Sequence, residues 1–254
     1  MGLSRLASMF TVLILAAAMA ATARAAEQPG DDSAGPTDVD NYASPVIATG
    51  DFNRDGIADL VEATSPDETN SGEHFLRILL GRPDGTFTAG FSQRLIHGDA
   101  RAMVVGDFNG DGNPDVIVGD SNGTLREFVG DGKGDLVDAG SVATVGSVAS
   151  IGIGHFTHSG HLDLVVSDFR SNSAVILLGS NNGAFRVAWS FQLPRVGREF
   201  HIATADFNQD GIDDLVIGND DDDDYEVMLG NGNGTFTYAP ELSHLRDPKS
   251  YCPS

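Results

Sequence analysis

The stretch GDFNRDGIADLVEA, residues 50–63, places Asp51, Asn53, Asp55, Gly56 and Glu62 at positions one, three, five, six and twelve of a loop. This is the spacing of a calcium loop held between two helices, whose twelfth residue is an acid that grips the ion with both oxygens. The flanks do not suit that reading. Short β-branched segments border the loop, Pro45 precedes it, and two further copies hold Val118 and Ile217 at the twelfth place. Glu62 is therefore expected on a strand, binding no metal.

The oxygen chemistry stands without that glutamate. Calcium is a hard cation that takes six to eight oxygen ligands. Side chains at places one, three and five of a tight turn converge on one point. Glycine at six allows the bend, place seven offers its carbonyl, and an aspartate at nine closes the cage. The first candidate set is Asp51, Asn53, Asp55, Ile57 (backbone) and Asp59. The second is Asp107, Asn109, Asp111, Asn113 (backbone) and Asp115, and the third is Asp206, Asn208, Asp210, Ile212 (backbone) and Asp214. Three carboxylates within nine residues repel one another unless a cation sits among them, so about three Ca2+ sites are expected; the alternative is a metal-free Asx-turn hairpin. At millimolar calcium each extracellular-type site would stabilise the fold by roughly 0.4–1.4 kcal/mol. A further loop, HFTHSGHLD at 155–163, has His155, Thr157 and Ser159 at the ligand places and keeps only Asp163. Loss of calcium is the expectation there, with a transition metal on His155, His158 and His161 as the alternative.

These loops are parts of a larger repeat. DFNRDGIADL at 51 returns as DFNGDGNPDV at 107, HFTHSGHLDL at 155 and DFNQDGIDDL at 206. A period of about fifty residues suits propeller blades rather than helical solenoids. A second landmark keeps step: LLGRPDGTF, FVGDGKGDL, LLGSNNGAF and MLGNGNGTF, with Gly85, Gly134, Gly183 and Gly234 in register. Val- and Ile-rich segments lead into and out of each Asp loop and are too short for helices. A third strand ends at each LLG turn, where Gly and Asn accept positive φ, and a fourth begins at the aromatic or leucine of GTF. The fold class predicted is all-β, a β-propeller of four-stranded antiparallel blades with four recognisable repeats, either closed as four blades or partial. The polar insertion SPDETNSGEH in the first repeat reads as an extended surface loop.

The remaining composition sets the context. Residues 1–25 read as a signal peptide: Arg5, an apolar run from Leu6 to Ala21, and Ala23-Arg24-Ala25 as a small-x-small cleavage site. A linker at 26–43, the repeat domain at 44–245 and a C-terminal tail at 246–254 complete the organisation. The chain is expected to be secreted, extracellular or periplasmic, with no membrane span after signal cleavage. A net charge of −22 argues against nucleic acid or anionic lipid as partners. One cysteine, Cys252, forms no internal disulfide. The run Asp220–Asp224 reads as a solvated loop, Asn122 and Asn233 in N-G-T sequences as turn residues, and Trp189 and Tyr225 as either sugar-stacking or strand-packing side chains.

Taken together, GDFNxDGxxDLVV followed by LLGxxxGTF resembles the FG-GAP/VCBS repeat of integrin α-chain propellers and many secreted bacterial and fungal proteins, over about residues 44–240. The resemblance implies a propeller with calcium in the hairpin loop between the first two strands of a blade. It also implies a role in adhesion or in recognition of glycans or proteins. Propellers of that family typically have seven blades, against four repeats here, so an oligomer would follow if the propeller is incomplete. The chain shows no H-E-x-x-H and no nucleotide loop, and its paired carboxylates lie in the calcium loops. The expectation is a non-catalytic recognition or adhesion module for glycans or extracellular proteins, not an enzyme. The alternative is a secreted polysaccharide-degrading propeller enzyme or its accessory domain, drawing on Glu73, His74, His97, Glu199 and His201.

Overall fold

The computed structural model describes residues 46–64, 74–95, 99–193, 200–219 and 224–239. The predicted signal peptide, linker and tail, residues 65–73 of the first-repeat insertion, and Asp220–Asp223 lie outside these residues. Every regular element described is a strand. The first blade comprises β1 (Val46–Gly50), β2 (Asp59–Thr64), β3 (His74–Gly81) and β4 (Phe87–Leu95). The second has β5 (Ala100–Gly106), β6 (Asp115–Asp120), β7 (Thr124–Gly130) and β8 (Leu136–Thr144). The third has β9 (Val148–Gly154), β10 (Asp163–Asp168), β11 (Ser173–Gly179) and β12 (Phe185–Gln192). The fourth has β13 (Phe200–Ala205), β14 (Asp214–Asn219), β15 (Asp224–Gly230) and β16 (Phe236–Tyr238).

Each blade is an antiparallel meander in chain order. The first two strands of each end on the pairs Gly50↔Asp59, Gly106↔Asp115, Gly154↔Asp163 and Ala205↔Asp214. The Asp loops are thus hairpin loops, not interhelical ones. Glu62 lies on β2 opposite Ile47 and Arg77, with Arg77 Nη1 3.8 Å from its Oε1, which confirms that it belongs to the strand.

A single sheet cannot bury its apolar residues alone, so the cores lie between blades. Phe52, Val61 and Ile78 of the first blade pack with Met103, Phe128 and Leu136 of the second. Phe108, Ile117 and Leu125 pack with Ile151, Leu164 and Leu177 of the third. Phe156, Val165 and Ile176 pack with Leu215, Met228 and Phe236 of the fourth. Strands β6 and β10, central in blades with neighbours on both sides, are buried along their whole length. The first strands run side by side in the order β1, β5, β9, β13, and β13 does not return to pack on β1 as the others pack together. The blades therefore form an open run: the partial propeller, of the two forms predicted. No helix among the described residues is long and apolar enough to cross a membrane.

Candidate functional site

In three of the four hairpin loops the backbone takes the left-handed region twice. Gly56, Gly112 and Gly211 at place six have φ of 84°, 84° and 90°. Place four is left-handed as well, at Arg54 (60°), Gly110 (79°) and Gln209 (63°). Only glycine adopts this region freely, so Arg54 and Gln209 each hold about 1 kcal/mol or more of backbone strain. The turn is kept by its side chains. Asp55 N–H donates to Asp51 Oδ1 at 3.1 Å and to Asn53 Oδ1 at 3.0 Å, and Gly56 N–H to Asp51 Oδ2 at 3.0 Å. Asp111 N–H likewise donates to Asp107 and Asn109, and Asp210 N–H to Asp206 and Asn208. The fifth-place carboxylate accepts from the seventh-place N–H: Ile57 to Asp55, Asn113 to Asp111, and Ile212 to Asp210, at 2.7–2.9 Å. Oxygens of places one and three thus share one donor and lie side by side at the rim of the loop.

The ninth-place aspartate has a second task that the ligand reading did not include. Asp59 is buried, and its Oδ2 accepts from Phe52 N–H at 2.9 Å while its Oδ1 accepts from Gly81 N–H at 2.8 Å. Asp115 takes Phe108 and Gly130, Asp163 takes Phe156 and Gly179, and Asp214 takes Phe207 and Gly230. In every blade this residue ties the hairpin loop to the end of the third strand. A carboxylate oxygen has two lone pairs, so each bond leaves room for a cation. The clue in the sequence was Asp163, retained where all other ligand side chains are gone.

The bonding partner is the glycine of LLG, whose role also differs from the expectation. Gly81, Gly130 and Gly179 are not among the left-handed residues; Gly85, Gly134, Gly183 and Gly234 are. A Cβ at Gly81, Gly130 or Gly179 would instead come within 2.1–2.2 Å of the carbonyl oxygen of Ala58, Pro114 or Leu162. The site needs close backbone approach, not a turn conformation.

Among the described residues no three His, Cys, Asp or Glu side chains gather as a metal-holding group. Each calcium-type loop carries three aspartates, and the buried ninth-place one does not gather with the two at the rim, so it does not close the cage as expected. His155, His158 and His161 do not converge, and the His155 N–H donates to Asp213 Oδ2 at 2.6 Å. Burial raises the Asp115 carboxyl above its usual range against the bonds from Gly130 and Phe108, and does the same at Asp163. Glu127 on β7, missed by the sequence reading, is pushed to about 7 by burial and by the neighbouring Asp115 charge. Its Oε1 has no hydrogen-bond partner. It occupies the place held by Ile78 and Ile176 in other blades, a difference that register alone could have exposed. Trp189 stacks on Phe191 at 4.6 Å and lies over Phe236, so it packs between strands. Asn233 Oδ1 accepts from the Thr235 N–H and hydroxyl, as turn chemistry requires.

Among solved structures the chain is similar to β-fructofuranosidase from Schwanniomyces occidentalis complexed with fructosyl-erythritol: 13% identity, TM-score 0.50, 74% of this chain and 43% of that one. It is also similar to BBS1N in complex with ARL6DN, at 14% identity and TM-score 0.49, covering 82% of this chain and 57% of that one. The chain thus spans about half the length of the structures it matches. No curated protein matches it in sequence. The FG-GAP-like repeat profile matches three times in succession, at residues 51–118, 107–166 and 155–217. These matches share the loops just described and together cover more than half of the sequence, and the chain belongs to the FG-GAP-like repeat family.

Proposed function

We propose that this chain is a calcium-binding recognition module acting outside the cell, with Ca2+ in the loops at 51–59, 107–115 and 206–214. The observation that carries this is a backbone conformation matched to ligands. The fourth place is left-handed in the three loops that hold Asp, Asn and Asp, and not in the loop that holds His155, Thr157 and Ser159. At Arg54 and Gln209 this conformation is strained, and such strain persists where a function requires the geometry. The donor set fits a hard cation: two carboxylates and an amide oxygen at the loop rim, with a buried carboxylate beneath. When bound, calcium would neutralise the clustered charge; the protein's part is to hold the oxygens ready through the fifth-place and sixth-place N–H groups.

A non-catalytic role is supported by where the carboxyls with raised pKa lie. Glu127, Asp115 and Asp163 are buried between strands and blades, out of reach of a polymer substrate. Glycans or extracellular proteins are the ligand classes proposed, and secretion rests on the N-terminal sequence. Binding to a glycan array in calcium, alongside a polysaccharide-degradation assay, tests the recognition reading; turnover without stable binding would sink it. The metal reading is tested separately by calcium titration calorimetry, with three ions expected per chain and two after Asp55→Ala. Zero ions bound by the native protein would mean metal-free turns.

A further inference from the structure

The blades cover one another in one direction. In the first three blades the Phe of the hairpin loop is sealed by the residue that opens the fourth strand of the next blade. Phe108 meets Phe185 edge-on at 5.8 Å and Phe156 meets Phe236 at 5.2 Å, while Phe52 shares a core with Leu136. Backbone bonds reinforce two of these junctions, from Gly134 N–H to the Phe52 carbonyl and from Gly234 N–H to the Phe156 carbonyl. The first strand of the next blade adds a second apolar contact toward the preceding one, through Met103, Ile151 and Ile202.

At the two ends of the run each half of this junction stands open. Phe207, the loop Phe of the fourth blade, is 48% exposed, whereas Phe52, Phe108 and Phe156 are at most 3% exposed. Phe87, which opens β4, is 40% exposed, and Ile47, the counterpart of Met103 and Ile151, is 52% exposed. The Gly85 turn has nothing within 4 Å of its Cβ position, whereas its counterpart Gly134 packs on Leu80 and Asn53. Among the described residues the fourth blade therefore lacks the cover that the other three loops have, and the first blade carries that cover unused.

We propose that these two flanks join head to tail with a second copy of this chain, Phe207 of each copy receiving Phe87 and Ile47 of the other. The surfaces that would meet are those that mate three times within the chain, so the contact continues an existing interface. A heterologous contact of this kind closes a ring when its rotation allows. Two copies give eight blades, within the usual propeller range of about four to eight, whereas three would exceed it. The pairing stands independently of whether the loops hold calcium. The charge of −22 on each copy opposes it at low salt and is screened beyond about 8 Å at physiological ionic strength.

The test is sedimentation of the intact chain at physiological salt with a reducing agent, so that Cys252 cannot link copies. The expected result is a reversible dimer that does not grow further with concentration. Phe87→Asp or Phe207→Asp should weaken it roughly 30-fold or more, as for a buried aromatic anchor, while circular dichroism stays native because both side chains are exposed in the single chain. In a Cys252→Ser background, mixing Phe87→Cys with Phe207→Cys chains and adding a short bismaleimide should cross-link 87 to 207. A native protein that stays monomeric at 100-fold dilution and at high concentration alike overturns the proposal. So does a dimer indifferent to both aspartates, or cross-links that join 87 to 87.

Discussion

In the second repeat, loop 107–115 carries Asp107, Asn109 and Asp111 and holds Gly110 at φ 79°. In the third, loop 155–163 carries His155, Thr157 and Ser159, and His158 stays out of the left-handed region. Below this difference the two loops are alike. Asp115 and Asp163 are both fully buried, and each bonds the N–H of the loop Phe and of the LLG glycine at 2.9–3.0 Å. The hairpin therefore has two separable layers. The rim at places one to five varies between repeats, whereas the buried carboxylate beneath is kept in all four and ties the hairpin loop to the third strand.

The strongest way to break this comparison is Asp163→Ala. It orphans two buried N–H groups at about 1–3 kcal/mol each, so a loss of about 2–5 kcal/mol is expected in urea unfolding, identical with calcium or chelator. A dependence on calcium would return Asp163 to the ligand layer. A smaller effect comes from Glu127, beside Asp115 in the second repeat but with no counterpart in the third. Its folded pKa of about 7 lies above the ordinary glutamate value of about 4.5, so the folded state binds the extra proton. Stability measured in chelator should then be greatest below about pH 4.5 and fall as pH rises towards about 7. Glu127→Gln reduces that fall, leaving the part due to Asp115 and Asp163, and stabilises the protein by about 1–2 kcal/mol at pH 8; an unchanged pH slope would show that the carboxyl is solvated. The smallest effect sharpens the comparison by building the missing rim. His155→Asp, Thr157→Asn, His158→Gly and Ser159→Asp together should add one calcium ion per chain in calorimetry. The graft should also add roughly 0.4–1.4 kcal/mol at millimolar calcium. A graft that folds but binds no further ion would mean that the letters of the rim are insufficient.

Much of the fold was legible because the repeat wrote it four times. The strand ends at Gly81, Gly130, Gly179 and Gly230 and the starts at Phe87, Leu136, Phe185 and Phe236 follow the landmarks directly. Glu62 could be set aside because Val118 and Ile217 show what its position is for. What escaped the sequence was contact between residues far apart in the chain. Gly81 lies 22 residues from Asp59, and nothing local distinguishes a glycine needed for close approach from one needed for a turn. Closure was equally hidden: Phe52 and Phe207 have the same neighbours in sequence and opposite surroundings in space. Glu127 reads as an ordinary strand glutamate until its register shows it in the position that Ile78 and Ile176 fill with hydrocarbon.

The one-directional covering of blades also sets an order in time. A loop is sealed only by residues of the following repeat, as Phe52 is by Leu136 and Phe156 by Phe236. On a ribosome adding about 5–20 residues per second, each newly made hairpin therefore waits roughly 4–15 s for its lid to emerge. During that interval its phenylalanine is exposed and its aspartates have no neighbouring blade to steady them. The chain matures as a zipper closing towards its C-terminus, and in a single chain the last hairpin, with Phe207, stays in the state that the other three pass through only during synthesis.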